Sequence, residues 1–250
     1  MKPDDTDSAA QVRASGIDVP CMDLLHWQGL ISENEQQRQA AIQANRDLIT
    51  TCAQLGITRF FCVLLPHDPA LGRARNHALA AQGFGALVDV LMAHDAQIVI
   101  EGWPGPGALA CTPDGYAAFF QDRPEACFAI NYDPSHLVRM GIDPLRFLRE
   151  FAGRVGHVHA KDTAVDAEAR YRYGTELGAA DQSSHRWGGT WWRYCIPGHG
   201  VVDWTAVLSE LESQGYTGSI AIELEDENFA HDADAVTRGL CIARDHLKGA

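Results

Sequence analysis

Residues 97–101 read QIVIE, 128–133 FAINYD, 156–161 GHVHAK and 219–224 SIAIEL. Each is a short, mostly apolar run with a carboxylate or an imidazole at or near its C-terminal end: Glu101, Asp133, His159 and Glu223. Runs of this length read as strands covered on both faces, which is the habit of parallel sheets. Side chains alternate along a strand with period two. Val99 and Glu101 therefore oppose Ile98 and Ile100, and Asn131 and Asp133 oppose Ile130 and Tyr132. On the next two strands His157, His159 and Lys161 oppose Val158 and Ala160, while Ala221 and Glu223 oppose Ile220 and Ile222. The apolar sets are expected to meet a helical layer and the polar sets to point inward.

Outward from these four segments the same alternation continues. Residues 16–25 and 59–65 read as two further strands. Helical patterns fall at 33–55, 72–94, 113–122, 143–153, 204–214 and 232–247. In the first, Ala41, Ala44, Leu48, Cys52 and Leu55 share a face and Gly56 is the stop. Strand then helix, six times over, predicts α/β architecture with a parallel sheet and outer helices. A TIM-type (β/α) barrel in one domain spanning 1–250 is expected, with residues 1–12 flexible. In such a barrel the C-terminal strand ends carry the active site. The polar stretch from about 163 to 200 is long for a connection and is expected to be functional.

The chain has 250 residues, 20 Lys+Arg against 33 Asp+Glu and a net charge of −13. That balance argues against a nucleic-acid backbone binder and against docking on an anionic membrane. No apolar run reaches the roughly 18 residues of a membrane span. The start, MKPDDTDSAA, is acidic and has no apolar segment of a secretory signal. Seven cysteines are scattered without any CxxC pair. They read as reduced, mostly apolar fillers, and a cytoplasmic location is expected.

Two glutamates, one aspartate and one histidine converging at strand ends need a reason. Clustered carboxylates repel one another, and desolvation disfavours their charged forms. A divalent cation removes the conflict. Mixed carboxylate and imidazole ligands suit Mn²⁺, Mg²⁺, Co²⁺ or Zn²⁺, with Mn²⁺ as the first expectation. The residues thus nominate Glu101, Asp133, His159 and Glu223 as metal ligands. Trp103 offers either an apolar wall for a substrate or a core side chain. Arg193 either clamps a substrate oxyanion or stacks on Trp191 or Trp192.

At these residues the sequence resembles the sugar phosphate isomerase/epimerase family, the xylose isomerase-like barrels of the AP endonuclease family 2 superfamily. The matching segments are IVIEGWPG (98–105), NYDPSHL (131–137), GHVHAKDT (156–163), IPGHGVVDW (196–204) and GYTGSIAIELED (215–226). The resemblance implies one divalent ion on Glu101, Asp133, His159 and Glu223, and substrate contacts from His136 and Lys161. It implies a metal-dependent isomerase or epimerase of a small sugar or polyol, working through a metal-stabilised enediolate. Glu101 and Glu223 would remove and return the proton. A dehydratase or β-eliminase of keto-sugars or inososes is the alternative chemistry. The family barrel has eight strands and this chain shows six. The first two βα units are expected to be absent, so a non-catalytic truncated barrel, or a barrel closed by a partner copy in a homo-oligomer, is a further reading. A DNA-repair function would need more ligands and a basic face.

Overall fold

A computed structural model describes residues 6–176 and 185–250. Six parallel strands hydrogen-bond in the order β1-β2-β3-β4-β5-β8, with helices between them along the chain. The α/β expectation holds. These strands are β1 (Met22–Asp23), β2 (Arg59–Val63), β3 (Gln97–Glu101), β4 (Phe128–Tyr132), β5 (Val155–Ala160) and β8 (Ile220–Ile222). A separate antiparallel pair joins β6 (Asp162–Val165) to β7 (Trp192–Cys195). The chain divides into two compact units, and β5 contributes its first three residues to one and its last three to the other.

The first unit runs to Tyr132 and takes in Arg154–His157. Helix α1 (Thr6–Ala14) lies in the stretch expected to be flexible and buries Ala9; residues 1–5 fall outside the described part. Helix α2 (Glu35–Gln54) starts where the Asn34 side chain accepts from the Gln37 amide, and it stops at Gly56, φ +74°. The first expected strand, 16–25, shrinks to Met22–Asp23. Pro20 in that segment has no N–H to give to a ladder. The single helix expected over 72–94 is two: α3 (Arg73–Gly85) and α4 (Val88–Ala93). Glycine weakens a helix interior, and Gly83 is needed here for packing. A Cβ on it would lie 1.9 Å from the Leu30 carbonyl oxygen in the 3₁₀ turn Trp27–Ile31. Helix α5 (Pro113–Asp122) is capped by Thr112. It presses Phe119 edge-on against Phe84 and Phe128, at centroid distances of 6.0 and 5.6 Å. The register of β3 on β4 places Glu101 opposite Asn131.

The second unit comprises Asp133–Gly153 and Val158–Ala250. Its α-helices begin under aspartate caps. Among them are α6 (Pro134–Arg139) under Asp133, α7 (Pro144–Glu150) under Asp143, and α9 (Trp204–Ser213) under Asp203. An Asp oxygen taking a first-turn N–H satisfies one of the donors a helix start leaves over. The 163–200 stretch, read as a connection, holds β6, helix α8 (Ala167–Tyr173) and β7. Its central part, 177–184, lies outside the described residues. Buried Asp162 ties down the loop after β7. Its carboxylate accepts from the amides of Thr163, Gly198 and Val202 at 2.8, 3.2 and 3.0 Å. Helix α10 (Ala233–Gly249) closes the chain under an Asp232 cap. Among the described residues no helix is long and apolar enough to cross a membrane. Burial pushes the thiols of Cys21 and Cys195 up to about 12 and that of Cys52 to about 11, as befits filler side chains.

Candidate metal centre

Asp133 follows β4 directly and is fixed by its own local sequence. One oxygen, Oδ1, accepts from the backbone N–H and the hydroxyl of Ser135 at 2.9 and 2.6 Å. This leaves Oδ2 beside Lys161 Nζ, at 3.2 Å, and His136 Nε2, at 3.3 Å. His159 stands on β5, where Val158 and Ala160 pair with Ile220 and Ile222 of β8. That register brings the ring against Glu223, just past β8, with Nδ1 3.4 Å from Oε2. Within the second unit, one donor atom each from Asp133, His159 and Glu223 lie within 4.8 Å of one another.

Lys161 is the electrostatic centre of the group. Its side chain is 1% exposed, and its ammonium contacts Glu223, Glu225 at 3.1 Å and Asp133. A buried ammonium persists only when paired. Three carboxylates crowd around this one ammonium. Hard oxygen donors with one imidazole suit a divalent cation, so the donor set fits one. The substrate contact that the resemblance implies for Lys161 meets a side chain that is buried among three carboxylates.

Glu101 ends β3 in the first unit. It is 4% exposed and accepts from Asn131 Nδ2 at 2.9 Å. Trp103 follows in the same unit with its ring over Gly105, where a Cβ would sit 2.0 Å from it. His26 and His67, isolated in sequence, together line a cavity of about 490 Å³ with Trp27, Gln28 and Gln37. No periodic signal could have joined them, because they follow different strands.

His136, in α6, is 1% exposed, with Nδ1 2.6 Å from the Tyr194 hydroxyl. Arg193 does not join this group. Its guanidinium pairs with buried Asp226 at 3.0 Å. The cations over Trp192 and Trp191 are Arg139, 4.3 Å from the ring centre, and Arg170, at 5.4 Å. Tyr194, Arg139 and Glu225 were missed in the sequence. Glu225 lies two residues past Glu223, and that spacing on an extended segment was the one available signal.

The fold and this donor group define a class of α/β protein with a carboxylate–imidazole centre at strand ends. The xylose isomerase-like TIM barrel family model matches residues 1–245, and the chain belongs to that family. An inosose dehydratase of Clostridium beijerinckii is 27% identical over 103 residues, which are 41% of this chain and 32% of that protein. The chain spans about a third of the length of the curated relatives it matches. A D-tagatose 3-epimerase-like protein superposes with a TM-score of 0.70 at 19% identity, covering 99% of this chain and 84% of that one. The IOLI protein, solved with a zinc atom bound, superposes with a TM-score of 0.69 at 16% identity, covering 98% and 82%. At these identities the structural likeness speaks for the fold.

Proposed function

We propose that the chain is a metal-dependent isomerase or epimerase of a small sugar or polyol carrying a carbonyl group. The observation that supports this most is the convergence of Asp133, His159 and Glu223 around a buried, overcommitted Lys161. In this reading those three residues, with Glu101 as fourth ligand, hold one divalent cation. Mn²⁺ is the first choice, and the zinc in the IOLI protein supports Zn²⁺ as another. When bound, such an ion supplies Lewis acidity toward a substrate carbonyl and offsets the repulsion among the carboxylates.

The chain's own residues carry the proton work. One of Glu101 and Glu223 takes the proton from the carbon next to the carbonyl, and the other returns a proton to the neighbouring carbon or to the opposite face. Positioned acid–base groups of this kind contribute about 10²–10⁴-fold in rate. His136 donates a hydrogen bond to a substrate oxygen. Lys161 keeps the acidic group from repelling itself apart. Arg193 and Trp103 were nominated for substrate binding, and the pairing of Arg193 with Asp226 favours a tie within the protein instead. The relationship to inosose dehydratases favours one second reading, elimination of water from a keto-polyol after the same proton abstraction.

The test is incubation of the full chain with Mn²⁺ and a panel of ketohexoses and inososes in D₂O, followed by proton NMR. The proposal expects deuterium to enter beside the carbonyl, with an epimer or isomer as product and loss of turnover in Glu223→Gln. An unsaturated or dehydrated product would establish the second reading. No exchange on any substrate would count against both.

A further inference from the structure

The antiparallel pair β6–β7 brings Tyr194 to His136, and the placement of one proton follows. Tyr194 is 4% exposed. Its hydroxyl oxygen lies 2.6 Å from His136 Nδ1 and 2.9 Å from Arg139 Nη1. A guanidinium only donates, so Arg139 occupies a lone pair of the phenol oxygen. The phenol's own proton then needs an acceptor. His136 Nδ1, 2.6 Å away, is placed to accept it. A neutral imidazole that accepts at Nδ1 carries its proton on Nε2. That nitrogen lies 3.3 Å from Asp133 Oδ2, on the side of the acidic group.

The arrangement is built. Arg139 is held over the Trp192 ring, two residues before Tyr194 on β7. The strand is anchored by Arg193 on Asp226 and by the Ile196 amide on the same carboxylate, at 3.2 Å. Lys161 Nζ lies 4.7 Å from the Tyr194 ring centre, on the way to Asp133. Burial keeps the phenol well above its ordinary ionisation range, so it stays a donor.

We propose that Tyr194, held by Arg139, is a positioning residue that fixes His136 as its Nε2–H tautomer, so that the ring offers a hydrogen-bond donor to a substrate oxygen. The last clause rests on the function proposed above; the tautomer itself does not. A histidine free to take either tautomer would present an acceptor part of the time and repel the same oxygen.

The experiment uses the full chain labelled with ¹⁵N-histidine. Two-bond ¹H–¹⁵N correlation spectra are recorded at about pH 8, above the ordinary histidine pKa of about 6.5. The His136 signals are identified by their loss in His136→Gln. The wild type is expected to show the Nε2–H pattern, and Tyr194→Phe a mixed or Nδ1–H pattern. An Nδ1–H wild type, or an unchanged pattern in Tyr194→Phe, would overturn the proposal. Arg139→Gln is the second variant, for use if Tyr194→Phe does not fold. It keeps the phenol, removes the cation and is expected to blur the tautomer preference; an unaltered pattern would overturn the part given to Arg139. The spectra need no substrate, so an inactive enzyme would defeat the proposed function and leave the tautomer decided. Where turnover is found, Tyr194→Phe is expected to lower kcat/KM about 10–100-fold, the usual cost of losing a group that orients a site residue.

Discussion

The ammonium of Lys161 lies 3.2 Å from the carboxylate of Asp133, and both side chains are almost wholly withdrawn from water, at 1% and 0% exposure. A buried pair of this kind is costly to break from one side, because the remaining charge is stranded. Lys161→Met should therefore cost about 3 kcal/mol of stability, measured by urea unfolding. Adding Mn²⁺ should recover part of that loss, and the rise in melting temperature with Mn²⁺ should exceed that of the wild type. A variant as stable as the wild type would show that Asp133 does not depend on the ammonium.

Arg193 and Asp226 make a second such pair. Asp226 is fully buried and also accepts from the amides of Ile196 and Asn228, at 3.2 and 3.0 Å. Those two donors soften the loss of the cation, so Arg193→Ala should cost about 2–3 kcal/mol. The expected signature is a lower urea midpoint with metal binding retained. Full stability combined with a large rise in KM would return Arg193 to the substrate.

Gly200 packs with no room for a side chain. A Cβ there would lie 2.1 Å from Asp162 Oδ1 and 2.6 Å from the Thr163 carbonyl oxygen. Gly200→Ala must push the loop off the carboxylate that holds it, at a cost of about 1–3 kcal/mol for an overpacked site. Calorimetry should show a clear fall in melting temperature. An unchanged melt would mean that the loop yields freely.

Asp89 provides a pH-dependent test. Its two-point pairing with Arg46, at 2.5 and 2.7 Å, holds its pKa at about 2, below the ordinary 3.8. A depressed acid pKa contributes stability that is present above 3.8 and is lost as pH falls through about 2. The Asp89 side chain is 69% exposed, so solvent screening keeps the effect below about 1 kcal/mol. The stability difference between wild type and Asp89→Asn should be steady well above 3.8 and shrink as pH falls through about 2. A difference that grows on acidification would contradict the pairing.

Much of the fold was legible because strand ends and helix starts are written locally. Glu101, Asp133, His159 and Glu223 each close a short apolar run, and Asp133, Asp143 and Asp203 each precede a helix start. The close packing of Gly83 was not legible, because it is set by Leu30, far off in the chain. The pair β6–β7 was hidden for a similar reason. Its two strands are short, and their partnership, Asp162 with Cys195 through Val165 with Trp192, spans a long insert. Tyr194 was therefore invisible as a partner of His136. Lys161 was visible as a residue of the right strand face, but its burial among three carboxylates depends on Glu225, beyond the last strand.

The central claim is that this acidic group holds a divalent cation. Its most direct test is thermal unfolding of the metal-stripped full chain, with and without Mn²⁺, Mg²⁺, Co²⁺ or Zn²⁺, in the wild type, Asp133→Asn and Glu223→Gln. A ligand that binds only the folded state adds about 2.7 kcal/mol at a hundred times its Kd. The account predicts a cooperative wild-type melt that rises with at least one of these ions, and a rise that is lost in both variants. A cooperative melt unmoved by all four ions would contradict it.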